Sequence, residues 1–507
     1  MTQVQKLKKS LAKFSEFGLT YIPHLCEARF VERKACMGGQ ETRATPHALH
    51  SMDQKTRANR GESQMKKIIA GSLLIVLTMV PALMKSPLVA QTKIIFWTWN
   101  RHDMEVKKRL FKKFEQEHPD IDVEMVIHAD RYQDMLKLAW DAETPPDVFQ
   151  IPENTLVALQ VEAGWLMPLD QWITPEFKAQ YMPGIFRNHV SVIKGHIYGI
   201  PSGIFTAKLF YNKSLFRKVG LDPEKPPRNW RELKEYAQKI TKAGKGRFYG
   251  FVIGAKDPWV YSMNVEWMAM VAGGTAFNYK TGKFQYNSEP FKRALSLIIG
   301  LKRDGSILPG MNSMDDDRAR LAFCSNKAAM IIGGSWNLGV FIDQFHSNVD
   351  FGVADLPVPD EGRKGLAPAF LSSQWGISSR TKHPQEAWEI VKLVASKEWM
   401  TEMVRAGKYI ATIASVNTPE NLKTKGMREC ADLTYHKFYP PDPEEMLRLE
   451  GPDFNNVCAG IVNGQLEMNK ALADLDKRLN KALSRAIAEG KIRLEEFIIP
   501  DFNPMKK

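Results

Sequence analysis

A readable rhythm of apolar positions begins at residue 93. The run KIIFWTW (93–99) is short and unbroken, which predicts a buried strand. Asp103 then stands ahead of Val106, Leu110, Phe111 and Phe114, whose spacing of three and four predicts a helix capped by that aspartate. IDVEMVI (121–127) reads as a second strand, 132–142 as a second helix, and DVFQI (147–151), after a Pro-Pro break, as a third strand. Strand and helix alternate, which is the pattern of a parallel sheet covered by helices. Ligands of such sheets bind at the carboxyl ends of the strands, so Trp99, Asn100 and Arg101 share a predicted rim with Pro152, Glu153 and Asn154.

A second block opens near Lys208 with LFYNKSLF and continues into a helix where Asn229 and Glu232 form a capping box and Gly244 marks the end. Helices are expected at 315–323 and 384–395, the latter with Ala387, Trp388, Val391 and Val394 inward. KAAMIIGGSW (327–336) reads as a buried strand ending at a glycine pair. Leu472, Leu475, Leu479, Leu483 and Ala486 mark the inner face of a long terminal helix that stops at Gly490. There is no internal repeat and no low-complexity linker, so two lobes sharing crossing segments fit better than two beads on a string.

The front of the chain changes this picture. Met65-Lys66-Lys67, an apolar run of 16 residues and Ala90 have the layout of a Sec signal peptide, with Leu88 a poor fit three residues before the cut. The run is shorter than the roughly 20 residues a membrane span needs. Residues 1–64 are polar and basic without periodicity, and all 12 tryptophans fall after residue 90. The expectation is an extension foreign to the fold at 1–64, a signal peptide at 65–90 with translation starting at Met65, and export to the periplasm or beyond. At 507 residues, 44% hydrophobic and 25% charged, the chain is of globular composition. Its net charge of +13 is mostly carried by the first 90 residues, which weakens any nucleic-acid reading. Past residue 90, Cys324, Cys430 and Cys458 allow one disulfide, with Cys430–Cys458 the pair to consider, or three free thiols.

No phosphate loop, zinc-protease, serine-hydrolase or paired-cysteine motif is present. AGKGR (243–247) is better read as a helix end than as a phosphate cradle. Asp315, Asp316 and Asp317 lack the alternating spacing of a calcium loop and suit a helix N-terminus. Glu153 and Asp103 could serve as acid and base on a glycoside, but rim carboxylates bind hydroxyls equally well. What stands out is aromatic. Sugars offer apolar C–H faces and many hydroxyls, so their sites combine flat rings with charged and amide groups. Trp99, Trp336 and Trp375 each end a predicted strand beside a polar residue or glycine, whereas Trp97, Trp388 and Trp399 read as core.

IIFWTW, PPDVFQI, YGIP leading to LFYNKSLFRKVGLDPEKPPRNWREL, AFCSNKAAMIIGGSW and SSQWGISSRTKHPQEAWEIVKLVASKE occur in an order and spacing that resembles the extracellular solute-binding proteins of carbohydrate ABC importers, the maltose-binding-protein-like group. The resemblance covers about 91–490 and departs at Asn326, where glycine is usual; Asn tolerates the left-handed turn required. It implies an α/β, type II periplasmic binding protein fold of two lobes, 91–203 with 357–410 and 204–356 with 411–507. Three hinge crossings would lie near Ile204, near Val353 to Leu356 and near Tyr409 to Ala414.

Carried onto this chain, the resemblance implies ligand contacts from Trp99, Asn100, Arg101, Asp103, Glu153 and Asn154 in the first lobe and from Trp336 and Trp375, with Trp259, Tyr261 and Asn264 on a longer loop. Phe205 stands where such proteins place a carboxylate, so packing replaces a polar contact. The implied protein is a monomer without catalytic residue, metal or cofactor that delivers a carbohydrate to permease subunits and binds no nucleic acid. Arg101 and Lys256 raise an acidic saccharide as the alternative ligand, a non-sugar solute being the other. Truncating Trp336 to alanine is expected to cost binding while leaving the melting of the free protein nearly unchanged.

Overall fold

The structure, a computed structural model, describes residues 91–129, 131–152 and 157–507, all within a unit that runs from Leu88 to Lys507. The expected extension (1–64), the expected signal peptide (65–90) and the candidate contacts Glu153 and Asn154 lie outside the described residues.

The first strand, β1 (Thr92–Thr98), buries Ile94, Phe96 and Thr98 completely and leaves Ile95 and Trp97 half-buried. α1 (Met104–Glu117) turns Val106, Leu110, Phe111 and Phe114 inward. β2 (Ile121–Ile127) runs parallel to β1 with Thr92 opposite Ile121. After α2 (Tyr132–Asp141), β3 (Val148–Gln150) pairs in parallel with the other edge of β1. This is the alternation the apolar rhythm predicted. One detail differs: Asp103 precedes α1 without capping it, because its carboxylate turns to Lys107 at 3.0 Å instead.

The second block is built from β4 (Ile200–Asn212), α3 (Lys213–Lys218), α4 (Trp230–Gly244), α5 (Glu289–Arg303), α6 (Asp316–Cys324), β5 (Met330–Gly334) and β6 (Phe351–Ala354). It continues through β7 (Ala367–Ile377), α7 (Pro384–Val394), α8 (Lys397–Arg405), β8 (Ile410–Ala411), β9 (His436–Lys437), α9 (Phe454–Val462) and α10 (Met468–Ala488). Asn229 caps α4 by accepting from Glu232 N at 2.8 Å, while the returning Glu232 carboxylate takes the N–H of Arg228 at 2.8 Å. Gly244 is the last residue of α4, and the left-handed positions that stop it are Lys245 and Gly246. Asn326 adopts the left-handed turn expected of it, with φ 58°. Its side-chain oxygen accepts from Asn212 Nδ2 at 2.7 Å. The leucine face of α10 is buried as read.

Among the described residues nine strands join in one sheet of order β6-β4-β7-β3-β1-β2, with β5 and β8 also on β4 and β9 on β7. β4 is buried at all 13 positions. Its residues 200–206 pair with β7, and two of them, Gly203 and Ile204, also with β8, whereas 207–212 pair with β5 and β6. The polar residues inside it are satisfied one by one: Ser202 Oγ donates to Ser373 O at 3.1 Å, Thr206 Oγ1 to Cys430 O at 2.8 Å, and Lys208 pairs with Asp355 at 2.8 Å. One apolar core gathers α4, α5, α9 and α10. Another runs from Ile94 and Phe96 through Ile204 and Phe205 to Phe323, Phe341 and Phe351. Cys430 and Cys458 are buried in different cores, and all three described cysteines are free thiols.

Three carboxylates sit together beside α9. Glu444 accepts from Tyr286 Oη at 2.7 Å, its N–H donates to Asp442 Oδ1 at 2.9 Å, and Glu266 lies in the same field. Burial pushes Glu266 up to about 7; burial and then the charge of Asp442 push Glu444 up to about 8. A carboxyl raised on folding contributes stability that is complete below about 4.5 and is lost as pH climbs through the folded value. Burial drives His102 and His436 down to about 4, so they act oppositely, and stability falls as pH drops from about 6.5 toward 4. Thermal stability is therefore expected to peak in mild acid. Glu444→Gln should raise the melting point at pH 8 by an amount worth about 1–3 kcal/mol and change it little at pH 5. Equal gains at the two pH values, read by thermal unfolding, would refute the charge origin.

Candidate functional site

The loop after β1 is fixed from below by one hydroxyl. Thr98 Oγ1 donates to Gln150 Oε1 at 2.6 Å and accepts from Lys107 Nζ at 3.1 Å and from Asn100 N at 3.3 Å. Lys107 in turn holds Asp103, both side chains being 1% exposed. The loop Trp99–Asp103 thus rests on a buried polar knot at the carboxyl end of a parallel strand, where the sheet geometry leaves a crevice.

Trp99 meets Tyr132 edge-on at 5.0 Å, and Tyr132 Oη donates to Gln150 O at 2.8 Å, so its orientation is set by the neighbouring strand. Across the crevice Trp336 follows the glycine pair that ends β5. Its ring folds back over Gly334, where a Cβ would come within 1.8 Å of ring carbon Cζ3. The glycine is there because the indole occupies that space. Phe205, midway along β4, forms the floor and meets Trp336 edge-to-face at 5.2 Å and 74°.

These residues enclose a cavity of about 400 Å³. Trp99, Asn100, Arg101, His102 and Ala129 form one wall. Trp259, Asp317, Arg320, Trp336, Val340 and Gln344 form the other. Trp259 is 45% exposed, and its loop is tied to the start of α6, where Asp316 N reaches Asp257 Oδ2 at 3.4 Å. The aspartate triplet serves the helix as expected: Asp315 caps α6 by accepting from Arg318 N at 2.8 Å, and Asp316 and Asp317 both pair with Arg320. Among the described residues no group of three His, Cys, Asp or Glu could hold a metal ion. Desolvation keeps His102 neutral near pH 7; its ring occupies the space that a Cβ on Gly339 would need.

Of the residues singled out in the sequence, Trp99, Asn100, Arg101, Phe205, Trp259 and Trp336 line this cavity. Four others do not. Asp103 lies beneath the loop, committed to Lys107, and is thereby removed from any acid–base pair. Trp375 is 1% exposed because β7 continues to Ile377 and turns the indole inward, stacked on Phe96 at 4.7 Å with Nε1 donating to Ser202 Oγ at 3.0 Å. Tyr261 and Asn264 are buried around the π-helical turn Ser262–Glu266, and Asn264 Nδ2 donates to Val260 O at 2.9 Å. Lys256 is exposed and outside the lining. His102, Ala129, Asp317, Arg320, Val340 and Gln344 were missed. For Asp317 and Arg320 a signal existed: they share a face of α6 one turn apart, opposite buried Ala319 and Phe323.

A sheet crevice walled by indoles from distant segments, with amide, carboxylate and guanidinium groups between them, defines a small-molecule binding protein. The chain belongs to the bacterial extracellular solute-binding protein family, whose model matches residues 98–401. A binding protein of Brucella abortus (strain 2308) is 28% identical over 295 residues, 58% of this chain and 69% of its own length. The sn-glycerol-3-phosphate-binding periplasmic protein of the same organism is 28% identical over 283 residues, 53% of this chain and 62% of its own. The ABC transporter solute-binding protein of Thermotoga lettingae TMO, solved with α-D-tagatose, superposes with a TM-score of 0.67 at 23% identity, covering 78% of this chain and 100% of that one. The fold is the two-lobed, type II arrangement of periplasmic binding proteins.

Proposed function

We propose that this protein binds a saccharide outside the cytoplasmic membrane and delivers it to the permease subunits of an ABC importer by closing two lobes over it. The observation that carries this reading is the cavity, where Trp99, Phe205, Trp259 and Trp336 present rings to a ligand from both walls and the floor. Its volume of about 400 Å³ suits one or two sugar rings. The lobes are 91–203 with 357–410 and 204–356 with 411–507. The chain passes between them along β4 near Ile204, near Val353 to Leu356, and near Tyr409 to Ala414.

Closure follows from differential affinity. A ligand that touches both walls binds the closed form more tightly than the open one and shifts the equilibrium by that difference alone. A micromolar dissociation constant corresponds to about −8 kcal/mol, of which stacked indoles supply a large part. The protein acts as a monomer and turns nothing over: Asp103, half of the carboxylate pair a glycosidase reading would use, is locked to Lys107 beneath the loop. Export by the segment at 65–90 places it in the periplasm or outside the cell.

The test is thermal unfolding of the purified protein against mono- and disaccharides. At 100 times its dissociation constant a true ligand adds about 2.7 kcal/mol. A rise with one sugar class and no new reducing ends after prolonged incubation is the expected result. Silence across the panel would overturn the reading.

A further inference from the structure

The charge pattern of the cavity separates two classes of ligand, and this step rests on the saccharide reading above. Arg320 reaches across two carboxylates: Nη1 donates to Asp317 Oδ1 at 2.9 Å, and Nη2 pairs with Asp316, itself buried. The other oxygen of Asp317 accepts from Gln344 Nε2 at 3.2 Å. Arg320 Nε is buried without a hydrogen-bond partner among the described residues. The one strong cation in the far wall is thus neutralised twice over. His102 opposite it is uncharged near pH 7, because burial pushes its imidazole down to about 4. Arg101 is exposed, where pairing with an anion is weak and screened, and Lys256 lies outside the lining.

We propose that the Asp316–Arg320–Asp317 clamp is a specificity filter by which the cavity accepts a neutral saccharide and rejects one carrying a carboxylate or phosphate. A hydroxyl finds what it needs here: lone pairs on Asp317, an N–H on Arg320, and amides on Asn100 and Gln344. An anion does not. Exposed Arg101 offers it only a weak, screened pairing; to be paired more strongly it must draw Arg320 away and leave Asp316 buried without its partner, and otherwise it sheds its water beside the charge of Asp317. The same clamp fixes the planar guanidinium, so the remaining N–H groups on its two terminal nitrogens are held in place before ligand arrives.

Isothermal titration of the purified protein decides this, with cellobiose against cellobiouronic acid, galactose against galacturonate, D-tagatose, and sn-glycerol 3-phosphate as probes. The expected result is that a neutral sugar binds and its acidic counterpart binds at least tenfold more weakly. Asp317→Asn, which removes one neutralising charge from a half-exposed position, should weaken the neutral sugar and strengthen the acid, narrowing the gap at least threefold. An acid or glycerol phosphate that binds as tightly as the neutral sugars overturns the filter and leaves a binding protein with an anionic cargo. An unchanged ratio in Asp317→Asn overturns the role of the clamp. No heat with any neutral or acidic probe overturns the saccharide reading itself, and the filter with it.

Discussion

Trp336→Ala is expected to weaken saccharide binding at least tenfold, a loss of about 1.4 kcal/mol or more. The ring is half-buried, forms one wall of the cavity, and touches the floor through Phe205 at 5.2 Å. Read from the sequence as a rim residue, it should leave the free protein's melting point untouched. The structure revises that: the indole also meets Trp267 at 6.2 Å and covers Gly334, so its removal leaves a void between packed rings. The free protein should lose about 1–3 kcal/mol as well, below the range for a fully buried tryptophan. Trp259→Ala separates the two effects, because Trp259 is 45% exposed and its loss should lower affinity with little change in melting. Titration and thermal unfolding of both variants check this. Normal affinity in Trp336→Ala would end the assignment of this cavity as the binding site.

The second large effect concerns stability. Lys107→Met leaves Asp103, 1% exposed, as a buried charge without its partner, and should cost about 3–5 kcal/mol by urea unfolding. Replacing both, as Asp103→Leu with Lys107→Met, should recover most of that, since a well-packed apolar pair is often as stable as a buried ion pair. It should not recover ligand binding. Lys107 also donates to Thr98 Oγ1 at 3.1 Å, and that hydroxyl receives Asn100 N, so the apolar pair leaves the loop Trp99–Asp103 without its anchor. A double variant that binds normally would show that the knot serves stability alone.

The elements that the sequence disclosed are those with one dominant partner. β1 and the helices α1, α2, α7 and α10 each bury one face or one stripe, and their rhythm is visible in the residues themselves. β4 is different. Buried throughout, it carries Ser202, Thr206, Lys208 and Asn212 among its apolar residues, and each has a partner in a segment far away in the chain, so neither alternation nor an apolar run betrays its length. Trp375 was misplaced for a related reason: a tryptophan beside a glycine resembles a strand end, but Gly376 and Ile377 continue pairing with β3. The cavity's aromatic members were legible because indoles at strand ends are conspicuous. Of its polar members, Asn100 and Arg101 were legible at the end of the first strand, whereas Asp317 and Arg320 were not, because they gain their meaning from Gln344, which a helix-face pattern does not contain. Asp103 looked like a cap or a contact and is neither, since a lysine one turn on competes successfully for its charge.

The wiring of β4 also bears on the chain's birth. Its hydrogen-bonding partners lie at 330–334, 351–354, 367–377 and 410–411, all far downstream. Until those segments have emerged from the ribosome, the strand has nothing to pair with, and contacts of such sequence separation form slowly even when all are present. The chain is therefore kept from its final shape for most of its own synthesis, which is the condition a polypeptide must be in to be threaded through a narrow pore.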